Sequence, residues 1–369
     1  MGRLGQPGRE GHTESRRPWL HYHEFFNEAL ARIVGARPTE TVAMGSLTTN
    51  LHLLMVSFYR PTGVRKKIMC EGKAFPSDQY ALKSQLRYHG LNPEEDLIEI
   101  EPDPETGYID EEQLLKTIDA HADELALLMI GGVNYYSGQV FNMAKITAKA
   151  QAVGAMVGWD LAHAAGNAPL QLHNWQVDFA AWCGYKYLNS GPGGVSGIFI
   201  HEKHHSQRDI PRFEGWWGHN KNTRFKMPSE FDPIPTAEAW QLSNAPVMAM
   251  APLLASLELF DRAGMSALRQ KSIALTGYLI YVLQEVRQSS GIPLKIMAPE
   301  DVNQRGCQVS LVVPNHGGAV FEQLSSRGVI ADWREPDVIR LAPVPLYNSF
   351  GDVYQLANLL QEILKELKS

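Results

Sequence analysis

The sequence predicts an α/β protein: a mostly parallel central sheet with helices on both faces, followed by a smaller C-terminal α+β domain. Three observations carry this. Short apolar runs alternate with amphipathic stretches from about residue 65 to about residue 200, the pattern of parallel strands joined by crossover helices. Beyond "SNAPVMAMAPLLASLELFDRAG" long helical patterns take over, separated by "CQVSLVVP" and "VIADWREPDVIRLAP". The chain of 369 residues also exceeds what one hydrophobic core usually supports, so two domains are expected, 1–245 and 246–369.

Taken in order, "GSLTTN" opens the helix "LHLLMVSFYR", with Ser and Thr where a helix start wants them. The strand "KKIMC" leads to the helix "SDQYALKSQLRYHG", "LIEIE" to "DEEQLLKTIDAHA", and "LALLMI" to "MAKITAKAQAVG". Then "AMVGW", "DFAAWC" and "VSGIFI" read as three more buried strands. No flexible linker marks the join between the domains, so a continuous helix is expected to carry the chain across it.

Composition excludes several classes of function. With 44% apolar and 20% charged residues and a net charge of -6, the chain has neither the footprint of a nucleic-acid binder nor a basic run for a membrane surface. The longest apolar run, "LALLMIGGV", is far too short to span a bilayer. The opening "MGRLGQPGREGHTESRRPW" lacks the apolar centre of a signal peptide, and Gln6 stands where myristoylation wants Ser or Thr. The three cysteines, Cys70, Cys183 and Cys307, are odd in number and not spaced for a metal, which points to a reducing compartment. A cytoplasmic protein is expected.

Parallel sheets take their ligands outside the carboxyl ends of the strands, and the segments there are chemically unusual. "AMVGW" runs into Asp160 and "LAHAAGN", "KKIMCEGKA" into "FPSD", "LALLMI" into "GGVNYYSGQ", and "VDFAAW" into "CGYKYLNSGPGG". Each has a plain structural reading. Thr48, Thr49 and Asn50 cap helices in many proteins, and "FPSD" makes a proline turn capped by Ser77 or Asp78. His163 fits a core histidine, and "SGPGG" a hairpin loop beside which Lys186 reaches solvent. Only Asp160 and Lys186 resist this account singly. Together, at the strand ends of one sheet, the set fits one ligand better than separate accidents.

That ligand carries a phosphate, an aromatic face, a basic ring nitrogen and an aldehyde that reacts with lysine, as pyridoxal 5'-phosphate does. A desolvated Lys186 loses its charge readily enough to bond the aldehyde carbon. Asp160 opposite the ring nitrogen keeps it protonated, Phe75 offers a stacking face, and the helix start at "GSLTTN" suits the phosphate.

The segments "FPSD", "VNYYSGQ", "DLAHAAGN", "YKYLNSGPGG" and "VIRLAPVPLYNSF" together resemble the kynureninase family, whose fold is of the fold type I, aminotransferase-like kind. The similarity runs from "GHTESRRPW" to the C-terminal helix. It implies that Lys186 bears the cofactor and shuttles protons and that Asp160 pairs with the ring nitrogen. Asp78 and His163 would lie near the ring, Phe75 on it beside Pro76, and Leu47, Thr48, Ser77 and Tyr185 about the phosphate. It further implies a homodimer with shared active sites, in which Trp216 and Asn244 reach across, His12 and Asn244 stand beside the substrate's aromatic ring, and Arg340 grips its carboxylate.

The reaction so implied is hydrolysis of L-kynurenine, or 3-hydroxykynurenine, to anthranilate or 3-hydroxyanthranilate and L-alanine, in tryptophan catabolism and NAD biosynthesis. Either Tyr136 or Tyr185 would take part in the proton transfers that release alanine. Three departures from the family pattern stand out. Gly45 and Thr49 replace the more usual Asn and Val. Gly131 stands where Ser or Thr is expected, so one hydrogen bond to phosphate should be absent. Family members also begin some tens of residues earlier, so this start is expected to spare folding and cofactor binding while loosening closure over substrate. Two readings compete. One is a pyridoxal-phosphate desulfurase or class V aminotransferase, but a desulfurase needs a mobile cysteine in a late loop, whereas Cys307 opens an apparent strand. A non-catalytic binding protein has no need to keep Lys186, Asp160 and Arg340 together.

Overall fold

The computed structural model describes residues 8–368, which form two compact units. The first comprises residues up to 101, 112–132 and 143–262, and the second 102–111, 133–142 and 263 onward. The first unit begins with 3-10 turns and helix α1 (Asn27–Val34), strand β1 (Thr41–Ala43) and helix α2 (Leu47–Phe58). Strand β2 (Lys67–Glu71), helices α3 (Pro76–Tyr88) and α4 (Pro93–Asp96), and strand β3 (Leu97–Ile100) follow. Helix α5 (Glu111–Ala120), strand β4 (Leu125–Gly131), helix α6 (Met143–Ala152) and strands β5 (Met156–Asp160), β6 (Phe179–Trp182) and β7 (Gly197–Ile200) complete the sheet, and helix α7 (Val247–Ala263) closes the unit.

The sheet has seven strands in the order β1-β7-β6-β5-β4-β2-β3. The five from β3 to β6 run parallel, while β7 is antiparallel to both its neighbours. This is the mostly parallel α/β sheet that the alternating pattern predicts. β4 and β6 are buried at nearly every position, as strands covered on both faces must be. Sequence reading does not find β1, whose three residues "TVA" give too short a pattern to register. Beneath the sheet the rings of Phe58 and Phe179 stack at 4.9 Å, and Phe58 stacks on Trp240 at 6.2 Å. Trp240 donates its indole N–H to Ser57 Oγ at 2.9 Å.

The second unit holds helix α8 (Met265–Ser290), strands β8 (Lys295–Met297) and β9 (Val309–Val312), helix α9 (Gly317–Ser326), strands β10 (Asp332–Arg334) and β11 (Val338–Leu341), and helix α10 (Phe350–Glu366). Its antiparallel sheet, in the order β10-β11-β9-β8, packs its apolar residues with those of α8, α9 and α10 in one core. α10 starts with a capping box between Ser349 and Asp352.

The division falls at Arg262/Ala263, where the sequence reading places it at 245/246. α7 therefore belongs to the first unit, where Arg32 on α1 also binds Asp261 with two hydrogen bonds, of 2.9 and 2.8 Å. The helix is also not continuous across the division. Gly264 adopts φ 74°, a left-handed turn between α7 and α8. Residues 102–111 and 133–142 belong to the second unit although they follow β3 and β4. No described helix is long and apolar enough to cross a membrane.

Candidate functional site

The carboxyl ends of β2, β4 and β5 present Glu71, Gly131 and Asp160. Gly131 lies opposite Asp160 in the parallel register, and Gly132 N–H donates to the Asp160 carbonyl at 2.7 Å. The Asp160 side chain turns back so that Oδ1 accepts the Ala162 N–H at 2.6 Å. Lys186 follows β6, in the connection that leads to antiparallel β7. That loop folds tightly: a Cβ on Gly194 would lie 1.9 Å from Ser190 Oγ, so only glycine fits there.

Lys186 Nζ stands 3.2 Å from His163 Nε2 and 5.7 Å from the centre of the Phe75 ring. Phe75 precedes the first turn of α3, where Pro76 supplies a fixed φ and Asp78 an acidic group. The Asp78 and Asp160 carboxyls act strongly on one another, and two carboxyls so placed do not both ionise freely. Burial and the charge of Asp160 push Asp78 well above the usual carboxylate range. Burial also raises Asp160, but hydrogen bonds from Asp78 and Ala162 and the charge of Lys186 oppose the rise. The proton therefore belongs to Asp78 and the negative charge to Asp160.

Two helix starts meet beside this cluster. Thr48 at the start of α2 and Ser77 at the start of α3 bring their hydroxyls within 2.7 Å, with Leu47 half-buried beside them. Such paired N-termini offer backbone N–H donors and a favourable dipole to an anion. Gly45, just before α2, adopts φ 53°. A Cβ there would stand 2.4 Å from Asn50 Oδ1, so glycine suits this loop as it is packed here. The Tyr185 side chain is 50% exposed. Burial of its ring and the neighbouring Cys183 raise its hydroxyl above the ordinary tyrosine value.

Tested against pyridoxal phosphate, these residues fit. Thr48 and Ser77 suit the phosphate, Phe75 the ring face, Asp160 the ring nitrogen, and Lys186 the aldehyde carbon. Glu71 is the residue that sequence reasoning misses. It is 4% exposed, its Oε2 accepts the Gly131 N–H at 2.8 Å, and the charge of Asp160 acts on it. The signal was an acidic residue closing the apolar strand "KIMCE".

His12, Trp216 and Asn244 come together elsewhere in the first unit, lining a hollow of about 900 Å³ with Trp19, Phe225 and Met248. No described residue of the Lys186 cluster lines it. Trp216 is 47% exposed and donates its indole N–H to the Arg224 carbonyl at 3.0 Å. Arg340 and Tyr136 belong to the second unit. Arg340 lies opposite Asp332 in the β10–β11 register and pairs with it. It also donates from Nη1 to the Tyr135 carbonyl at 2.6 Å. The Tyr136 carbonyl accepts from Ser310 and Gln308, and burial raises its phenol. Cys307 is fully buried, unlike the mobile thiol that a desulfurase requires.

Comparison with known proteins supplies the family. Residues 268–360 match the family model described as the kynureninase C-terminal domain. A kynureninase of Christiangramia forsetii is 54% identical over 353 residues, which span 96% of this chain and 83% of that one. A kynureninase of Myxococcus xanthus is 52% identical over 359 residues, spanning 97% and 84%. Among solved structures, the apo cysteine desulfurase of Thermococcus onnurineus NA1 superposes with a TM-score of 0.78 at 18% identity, over 96% of this chain and 87% of that one. A C-DES mutant with glycine covalently linked to its PLP cofactor gives a TM-score of 0.75 at 19% identity, over 91% and 84%. These structural likenesses establish the fold as the fold type I kind, and the sequence relatives establish more: this chain belongs to the kynureninase family.

Proposed function

We propose that the chain is a pyridoxal-phosphate-dependent hydrolase that splits L-kynurenine, and 3-hydroxykynurenine, between the β-carbon and the γ-carbonyl. The products are anthranilate or 3-hydroxyanthranilate and L-alanine. The observation that carries this reading is Lys186 Nζ beside His163 and Phe75, next to the Asp160–Asp78 pair, in a chain more than half identical to kynureninases. When bound, pyridoxal phosphate supplies an electron sink for charge developing at the substrate's α-carbon. Lys186 takes the α-proton and returns it, a role that needs its amine neutral. Asp160 keeps the ring nitrogen protonated, and Asp78 steadies that charge by donating to it. Thr48 and Ser77 hold the phosphate, with Gly131 contributing no hydroxyl. A water molecule attacks the γ-carbonyl, and Tyr136 or Tyr185 delivers a proton to the departing β-carbon. Arg340 reads the substrate carboxylate, held for that task by Asp332 and the Tyr135 carbonyl.

The active assembly is a homodimer with shared sites. The half-exposed aromatic hollow around Trp216 and Asn244 supports this, since patches of that kind mark protein contacts. Purified wild-type protein should be yellow and release anthranilate from kynurenine, followed by fluorescence. Lys186→Ala protein should show no band reducible by borohydride; retention of that band would sink the assignment. Mixing Lys186→Ala chains with Asn244→Ala chains should restore some turnover, and none despite proven subunit exchange would refute shared sites.

A further inference from the structure

Three buried or half-buried carboxyls stand at one place in the first unit, and the reading above uses two of them. The third is Glu71. Its Oε2 accepts the Gly131 N–H at 2.8 Å, while Gly132 N–H donates to the Asp160 carbonyl at 2.7 Å. The glycine pair ending β4 is thus clamped between the Glu71 side chain and the Asp160 backbone.

The charged and titratable groups around Glu71 come from every neighbouring element. Asp160 acts on it from β5, and Glu71 in turn acts on Asp78 of α3. Its chain neighbour Cys70 feels Glu71 together with Glu99 of β3 and Lys83 of α3. Lys186 offsets Asp78 and Asp160. Carboxylates this close and this dry do not all ionise.

We propose that Glu71 is a positioning residue for the ring nitrogen of pyridoxal phosphate, acting through Asp160: it clamps the end of β4 against that residue and, when ionised, adds negative charge behind its carboxylate. The inference rests on the cofactor reading of Lys186 and Asp160. Burial raises the Glu71 carboxyl to about 7, with the Asp160 charge adding to the rise and the Gly131 N–H opposing it. A protonated ring nitrogen beside Asp160 offsets the repulsion between the two carboxylates, so it lowers the Glu71 value. Loading the cofactor therefore releases protons from Glu71 near neutral pH, and by linkage affinity rises as pH climbs through that range.

The test compares cofactor-free protein with its Glu71→Gln variant. Both are titrated with pyridoxal 5'-phosphate by absorbance from about pH 5.5 to about pH 8.5, on either side of the Glu71 transition. Glutamine keeps an oxygen for the Gly131 N–H and mimics the protonated acid. The two dissociation constants should agree at the acid end and diverge to roughly tenfold at the basic end, with the variant weaker, the tenfold corresponding to about one pH unit of change in the Glu71 carboxyl. A ratio independent of pH means that Glu71 is only a structural clamp and overturns the proposal. If the variant fails to fold, calorimetry of wild type in two buffers of different ionisation enthalpy gives the protons released per cofactor bound. A proton count that does not vary around pH 7 overturns it equally. Wild type that binds no pyridoxal phosphate sinks the cofactor reading itself and takes this inference with it, whereas a yellow wild type with a flat ratio sinks Glu71 alone.

Discussion

Replacing Glu238 by glutamine removes the anion at the centre of a buried ion cluster beneath the segment that carries Trp216. Glu238 Oε2 stands 3.0 Å from His23 Nε2 and 2.8 Å from Lys221 Nζ. Lys221 also reaches Glu24 at 2.8 Å. His23 Nδ1 accepts from the Trp217 indole at 3.4 Å, and the Arg224 guanidinium lies 4.5 Å over the Trp217 ring. Burial alone pushes the Glu238 carboxyl up, but hydrogen bonds and charge from His23 and Lys221 overcome this and hold it at about 2. A fall from 4.5 to about 2, at about 1.36 kcal/mol per pH unit, corresponds to about 3 kcal/mol of folding stability. Lys221 is 35% exposed, so solvent screening trims this to roughly 2–3 kcal/mol.

The contribution is fully present above about pH 4.5 and is lost as pH falls towards about 2. Urea unfolding followed by tryptophan fluorescence should show Glu238→Gln weaker than wild type by roughly 2–3 kcal/mol at about pH 7, with the gap closing progressively below about pH 4.5. Equal midpoints at neutral pH would refute the account of the cluster, as would a gap that persists unchanged into acid. Because Trp217 of this cluster lines the hollow that holds Trp216 and Asn244, kynurenine turnover should fall while pyridoxal phosphate still binds.

Two further outcomes are expected. Arg340→Lys should raise the KM for kynurenine at least tenfold with little change in cofactor content, because an ammonium cannot reproduce the planar two-point grip; steady-state kinetics showing an unchanged KM would mean that the side chain serves elsewhere. Gly158→Ala places a methyl 2.2 Å from Phe179 Cζ, in a ring already stacked on Phe58. Overpacking should cost roughly 1–3 kcal/mol, measured by thermal unfolding, and a neutral substitution would show that the core yields more easily than its packing indicates.

The sequence by itself determined the period of the fold and the residue types from which a pyridoxal-phosphate site is proposed. Its apolar runs place β2 to β7 within a residue or two, because strands buried on both faces need continuous hydrophobic stretches. It also offers a lysine before a glycine-rich loop, an aspartate closing β5 and "FPSD" opening α3, each a residue type that pyridoxal phosphate demands. Only the tertiary structure decided what depends on distance between remote segments. It set β7 antiparallel, and it placed the division after α7 rather than before it. It assigned residues 133–142 to the unit that holds Arg340, where Tyr135 offers its carbonyl to that guanidinium. It brought His163 of one loop to Lys186 of another. Above all it revealed Glu71. An acidic residue at a strand end looks like ordinary solvent-facing punctuation until three strands converge, bury it, and leave the Gly131 N–H as its hydrogen-bond donor. Local pattern records which face of an element is apolar; which charges end up sharing one buried space is set by chain crossings that leave no periodic trace.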